Sequence, residues 1–231
     1  ELAGTSLLER NVETLRESGV TDQSIVTGYR ADQIRDLGYD TIHNPAFEKT
    51  DMVYSLFCAE DRFPADQDLL ISYGDIIYEP DVVEAVLDCD APVCVVVDRQ
   101  WAQLWNARFD DPLDDAETLK MTEDCHIKEI GGNPNDVDDI EAQYIGLIKI
   151  REDYLNRFVE RYRELTKNKS EGYTSVEMTR FLQSMIDDGW DVRAVPIDGG
   201  WLEVDTVEEL KMYRDLYYQD KLSMFINLTS E

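Results

Sequence analysis

Apolar positions along the first part of the chain alternate between two periods. Leu7, Leu8, Val12 and Leu15 recur at helical spacing and stop at Gly19, which predicts a turn at Gly4 and a helix to Ser18. SIVT, residues 24–27, is a short β-type run followed by Gly28-Tyr29. Residues 31–37 read as a second helix closed by Gly38, and Thr41-Ile42-His43 as a strand entering a loop at Asn44-Pro45. A helix is expected over 52–62, a strand over 69–72 ending at Tyr73-Gly74-Asp75, a helix over 81–87 and an apolar strand over 93–97. Continuous apolar strands separated by helices indicate a largely parallel sheet covered on both faces. Such sheets take ligands at the carboxyl ends of their strands.

The second part is less regular. Residues 101–109 mix aromatics with basic residues. Residues 119–122 and 126–130 form a candidate hairpin with its turn at Glu123-Asp124-Cys125, and 136–139 an acidic loop. Strands are expected at 144–150 and 192–196, helices at 154–165 and 179–188, and a polar loop at 167–172. Asp198-Gly199-Gly200 turns into Trp201-Leu202-Glu203-Val204-Asp205, and Thr206 caps a last helix over 207–218. No internal repeat or linker divides the chain.

Composition narrows the class. In 231 residues, 43% hydrophobic content suffices for a sizeable core. No apolar run reaches the roughly 20 residues that span a bilayer, and no basic-then-apolar leader opens the chain, so the expected location is cytoplasmic. Fifty acids against 22 bases give a net charge of −28, which disfavours nucleic acid and anionic membranes as partners. That acidity fits either a high-salt habitat or an ordinary acidic protein. Cys58, Cys89, Cys94 and Cys125 show no CxxC pairing, and His43 and His126 lie near no cysteine pair. Four free thiols are expected rather than a structural metal.

Two segments offer chemistry. Asp75 follows the strand LLIS across Tyr73-Gly74, where a carboxylate could reach a ligand at the sheet edge; taken alone, an ordinary turn accounts for it more simply. Glu203 and Asp205 stand two apart on a strand and so share a face. Two such carboxylates need a shared cation or full hydration, and Mg²⁺ takes hard oxygen ligands of this kind. The alternative is that Asp205 belongs, with Thr206, to the helix cap.

Together these segments carry a resemblance. AGTSLLERNVETLRESGV, IVTGY, NPAFEKTDMVYSL, LLISYGDIIY, EAQYIGLIKI and GGWLEVDT occur in the order of the nucleotidyltransferases that make activated sugars and cholines. The pattern is most similar to bacterial phosphocholine and phosphonate cytidylyltransferases. The resemblance implies a Rossmann-like three-layer α/β/α fold with a mostly parallel central sheet. It implies a single domain over 1–231, with a nucleotide-binding half at 1–98 and a substrate-binding half at 99–231. Asp75 and Asp205 resemble the family's catalytic, metal-holding acids, with Glu203 beside Asp205 as a further metal ligand or supporting acid, and Mg²⁺ as cofactor. Asp51 and Ser55 lie in the segment that approaches the nucleotide base. The implied reaction is in-line attack by an acceptor oxygen on the α-phosphorus of CTP, releasing pyrophosphate. The family's strand, Gly-rich loop and Pro-Lys would precede Glu1, so the activity is expected of a longer protein.

For the acceptor, Trp101, Trp105, Tyr144, Tyr173 and Trp201 could cage a quaternary ammonium, or pack in the core. Arg99, Arg108, Lys120 and Lys128 could hold a phosphonate, or form surface ion pairs. Glu141 and Tyr144 open the run EAQYIGLIKI. VVVDRQWAQLWNARFDDPL and EIGG resemble the phosphonate group, and Gly131-Gly132-Asn133-Pro134 replaces the Glu-Lys-Pro of many sugar enzymes. A 2-aminoethyl- or 2-hydroxyethylphosphonate is therefore the expected acceptor, with phosphocholine next and a sugar 1-phosphate third. A non-catalytic binding domain of the same fold, a homodimer and a fusion to another domain all stay open.

Overall fold

The computed structural model describes residues 1–167 and 176–228. Its helices are α1 Leu7–Glu17, α2 Ala31–Asp36, α3 Met52–Phe57, α4 Pro80–Asp88, α5 Trp101–Arg108, α6 Leu155–Lys167, α7 Met178–Asp187 and α8 Val207–Tyr218. Its strands are β1 Ile25–Thr27, β2 Thr41–His43, β3 Leu69–Ser72, β4 Ile76–Tyr78, β5 Val93–Asp98, β6 Thr118–Met121, β7 Ile127–Gly132, β8 Gln143–Ile150, β9 Val192–Ile197 and β10 Trp201–Glu203.

The central sheet has the order β3-β8-β5-β9. β5 pairs parallel with β9, while β8 runs antiparallel to both β3 and β5. Strands β3, β5 and β9 therefore point the same way, and β8 is the reversed strand between them. The expectation of a mostly parallel sheet holds for strand direction but not for pairing along β8. All six residues of β5 are buried, because side chains alternate across the pleat into two cores. Val93, Val95 and Val97 pack with Phe57, Phe158, Phe181 and Met185 from α3, α6 and α7. Cys94 and Val96 face the opposite cluster, with Val83, Leu104 and Tyr213 from α4, α5 and α8. The result is the three-layer α/β/α arrangement. Each fully buried valine contributes about 1.5–3 kcal/mol relative to an exposed one.

Smaller ribbons flank the sheet. β1 pairs parallel with β2, β6 antiparallel with β7, and β4 antiparallel with β10. β4 was not expected, since three residues after a turn give too short an apolar run to stand out. The helix expected over 52–62 stops at Phe57 and resumes as a 3₁₀ turn at Glu60–Arg62. Residues 101–108, with no clear period, are helical because both Trp101 and Trp105 turn inward. The thiol expectation needs correction: Cys89 and Cys94 form a disulfide with Cα atoms 6.3 Å apart, and only Cys58 and Cys125 are free. Of the polar loop expected at 167–172, all but Lys167, and also Tyr173, lie outside the described residues. Among the described residues no helix is long and apolar enough to cross a membrane.

Candidate active site

The β4–β10 ribbon assembles the acidic residues. Its register sets Glu203 opposite Ile76, and the Val204 N–H donates to the Asp75 carbonyl at 2.9 Å. Asp75 thereby lies across from Val204, flanked by Glu203 and Asp205. Local sequence frees these carboxylates. Thr206 and Glu209 form a capping box at the start of α8, with the Thr206 hydroxyl accepting from Glu209 N–H at 3.1 Å. Glu209 Oε2 accepts the N–H groups of Asp205 (2.8 Å) and Thr206 (3.0 Å). The cap is thus made by Thr206 and Glu209, and the Asp205 side chain is not spent on it.

Asn11 on α1 braces the turn that carries Asp75. Its amide donates to the carbonyls of Ile76 (3.0 Å) and Tyr73 (3.3 Å) and to Ser72 Oγ (3.3 Å), while its Oδ1 accepts from the Tyr78 hydroxyl at 3.0 Å. The sequence carries a signal for this residue. Asparagine is a poor helix former, so its place inside an amphipathic helix marks a side chain with work elsewhere.

Arg108, the last residue of α5, binds three acids of the C-terminal segment, Glu203, Asp205 and Glu209. Its Nη2 meets Asp205 Oδ2 at 2.6 Å, its Nε meets Glu209 Oε1 at 2.8 Å, and Nη1 bonds Glu203 Oε2. Its guanidinium carbon lies 5.3 Å from the Trp105 ring centre and 5.0 Å from that of Phe109. Burial pulls the Arg108 pKa down, but Glu203 and Glu209 outweigh it and hold the group above its ordinary value. Burial pushes Glu203 up to about 7; Arg108 opposes that shift, and the nearby Asp205 and Asp75 add to it. Burial also raises Asp75, helped by the Asp205 charge, and raises Asp205 against the pull of Arg108. Asp75 Oδ1 is buried with no hydrogen-bond partner.

Among the described residues no group of three or more His, Cys, Asp or Glu side chains converges to hold a metal alone. Asp75 and Asp205 are the two carboxylates that could share a hard cation. One has an oxygen lacking any protein donor, and the other is half exposed. Mg²⁺ commonly takes one or two carboxylates and completes its shell with water and phosphate oxygens, so these residues fit it.

Beside Asp75 stands a second group. The Tyr73 and Tyr144 rings meet edge to face at 5.8 Å, and the Tyr144 hydroxyl is buried without a partner. Burial raises both phenols, and the charges of Asp75 and Glu117 add to the effect. Glu117 accepts from the Thr179 hydroxyl at 3.2 Å. Burial raises its pKa, with Glu177 and Asp115 adding to the shift. Glu117 was not anticipated; an isolated acid before a short strand gives no signal in sequence.

The structure corrects several acceptor expectations. Trp101 and Trp201 are core residues, not a cage. Trp101 packs edge-on to Trp105 at 6.0 Å, Trp105 lies 6.1 Å from Trp201, and the Trp201 indole donates to buried Asp98 at 2.9 Å. Arg108 is committed to three carboxylates and cannot serve as a headgroup receptor. Lys120 donates to the Asp138 carbonyl at 2.8 Å, and Glu141 accepts from Met121 N–H at 2.9 Å, so both tie β6 to its neighbours. Arg99 is exposed just past β5. Asp51 precedes α3, where its carbonyl accepts from Ser55 N–H at 3.1 Å; the Ser55 hydroxyl accepts from buried Asn44 at 3.0 Å. Of the predicted site residues, Arg108 bonds Glu203 and Asp205 directly, Asp75 lies across the β4–β10 ribbon from them, and Tyr144 is within electrostatic reach of Asp75.

Comparisons with known proteins agree with this architecture. A family model, the MobA-like NTP transferase domain, matches residues 1–124. A CTP:phosphoglutamine cytidylyltransferase of Campylobacter jejuni subsp. jejuni is 36% identical over 224 residues, covering 92% of this chain and 88% of that protein. The inositol-1-phosphate CTP transferase of T. maritima superposes with a TM-score of 0.67 at 16% identity, over 99% of this chain and 87% of that one. The CTP:phosphocholine cytidylyltransferase of Streptococcus pneumoniae gives a TM-score of 0.68 at 15% identity, over 94% of this chain and 87% of that one.

Proposed function

The chain belongs to the MobA-like NTP transferase domain family of nucleotidyltransferases, and from that premise we propose that it transfers CMP from CTP to a small phosphorylated or phosphonylated acceptor carrying a cationic nitrogen. The observation that carries the reading is the β4–β10 register, which sets Asp75 between Glu203 and Asp205. An acceptor oxygen attacks the α-phosphorus of CTP, the bond from that phosphorus to the bridging β-phosphate oxygen breaks, and pyrophosphate leaves. Asp75 and Asp205 would hold Mg²⁺, which would supply neutralising charge for the phosphates. The chain's own residues orient the groups: Asn11 fixes the Asp75 turn, and Glu209 fixes the backbone of Asp205.

Glu117 and the Tyr73–Tyr144 pair support the acceptor class. A carboxylate beside aromatic faces favours an ammonium group, which gains both ion pairing and cation–π attraction, over a neutral hydroxyl, which gains a hydrogen bond alone. Phosphoglutamine, named for the Campylobacter relative, 2-aminoethylphosphonate and phosphocholine all carry a cationic nitrogen. 2-Hydroxyethylphosphonate and sugar 1-phosphates do not, and rank below them.

Pyrophosphate release with Mg²⁺ tests the reading, pairing CTP, UTP and dTTP with phosphoglutamine, both phosphonates, phosphocholine and a hexose 1-phosphate. CTP-dependent release with a cationic acceptor, lost in Asp75→Ala and Asp205→Ala, is expected. Preference for hexose 1-phosphate or for dTTP would overturn it.

A further inference from the structure

We propose that Arg108 is a positioning residue for the candidate cation site, a resident counter-charge that presents Asp205 to the ion. The inference rests on the reading of Asp75 and Asp205 as that site. The Arg108 side chain is 0% exposed, while its partners grade outward: Glu209 at 9%, Glu203 at 23% and Asp205 at 45%. Each guanidinium nitrogen takes a different carboxylate, so the fork joins the end of α5 to β10, to the turn after it and to the first turn of α8. A planar five-donor group can do this and a point-charge ammonium cannot.

Asp205 is held twice. Arg108 takes one of its carboxylate oxygens, and Glu209, itself bound to Arg108, takes its backbone N–H at 2.8 Å. Arg108 bonds only Oδ2 of the Asp205 carboxylate, and that side chain is 45% exposed. Asp75, Glu203, Asp205 and Glu209 place four carboxylates around one guanidinium. Arg108 makes this cluster tolerable in the empty protein and leaves an excess of negative charge for a divalent ion. Without the fork, repulsion between Asp75 and Asp205 would drive the more exposed Asp205 outward. The Trp105 and Phe109 rings beside the guanidinium keep water from replacing these bonds.

The test measures Mn²⁺ binding to the CTP-free protein by the loss of the free-ion EPR signal, with folding followed by circular dichroism. Wild type binds Mn²⁺, and Asp75→Asn weakens it sharply. Arg108→Lys keeps the charge, loses the fork and weakens Mn²⁺ affinity about 10–100-fold, the range seen when a residue that orients metal ligands is lost. Glu209→Gln, which keeps the shape and loosens the tether, weakens it several-fold and serves if Arg108→Lys does not fold. Wild-type affinity in a folded Arg108→Lys or Glu209→Gln protein, with Asp75→Asn still impaired, would overturn the role of Arg108 alone. No Asp75-dependent Mn²⁺ binding in wild type would overturn the cation site on which it rests.

Discussion

Replacing Gly146 by alanine probes the packing that holds Asp75 in place. Gly146 lies inside β8 at φ +89°, a conformation that costs an L side chain about 1–2 kcal/mol. An added Cβ would stand 2.8 Å from Tyr73 Cγ and 2.9 Å from Cδ2, closer than real Cβ contacts come. The ring must therefore move, and overpacking of this kind costs about 1–3 kcal/mol. The sum is about 2–5 kcal/mol against a total stability of about 5–15 kcal/mol. For a chain of this size that lowers Tm by about 4–20 °C. Function follows packing here, because the Tyr73 N–H donates to the Gly146 carbonyl at 3.0 Å and Asp75 lies two residues on. Turnover should fall at least about tenfold, since misplacing a reacting constellation by about 1 Å costs on that order or more. Gly38 provides the control: it has the same φ of +89° with nothing within 4 Å of its added Cβ. Gly38→Ala should show the conformational cost alone, so the difference between the two variants isolates the clash with Tyr73. Thermal unfolding by circular dichroism and pyrophosphate release read the two effects. Equal Tm losses for both variants, with turnover intact in Gly146→Ala, would refute the reasoning.

Asp98→Ala removes the shared acceptor of three donors, the part-buried Gln100 N–H at 2.8 Å and Gly199 N–H at 3.0 Å and the buried Trp201 indole at 2.9 Å. It should cost about 3–5 kcal/mol in urea unfolding followed by tryptophan fluorescence, and a loss under about 1 kcal/mol would contradict that. Trp101→Ala should cost a similar ~3–5 kcal/mol as a core deletion yet leave acceptor KM unchanged in protein that stays folded; a KM rise confined to cationic acceptors would restore the aromatic cage. Burial, with Glu177 and Asp115, raises the Glu117 pKa, opposed by the Thr179 hydroxyl. The folded state then holds that proton to higher pH than the unfolded chain, so the stability it contributes is present at low pH and lost as pH rises through the folded value. Wild type should lose Tm relative to Glu117→Gln between acid and neutral pH, and parallel Tm profiles would remove the premise.

The elements were legible where one period persisted. α1, α4, α6, α7 and α8 and the strands β3, β5, β8 and β9 lie within a residue or two of their expected limits, because each buries one stripe or one continuous run. β4 escaped notice, and with it the reason that Asp75 meets Glu203 and Asp205. The shared spacing of Glu203 and Asp205 predicted a common face and a need for positive charge. The cation found there is the guanidinium of Arg108, 95 residues away from Glu203 in sequence. That pairing depends on how α5 packs against β10, which no local pattern encodes. Tryptophan content could not separate cage from core either, since the apolar face that binds a cation is the same face that packs against a neighbour.

The chain's acidity then becomes part of the mechanism rather than an obstacle to it. A net charge of −28 opposes the approach of a triphosphate, and the candidate site deepens that field instead of relieving it. The Arg108 side chain is fully buried, and each of its three nitrogens is bonded to a carboxylate, so it is not presented to a phosphate. Under the proposed reading, the nucleotide must bring its neutralising charge as a bound divalent ion. An acceptor that carries its own cationic nitrogen is drawn by the same field that repels its phosphate. Under the same proposal, Glu117, whose charge reaches the Tyr73–Tyr144 pair, would take that nitrogen. On that proposal, negative charge on both sides of the reacting centre would select a metal-loaded nucleotide and a zwitterionic acceptor on one physical ground, where a basic cleft would admit any phosphate ester.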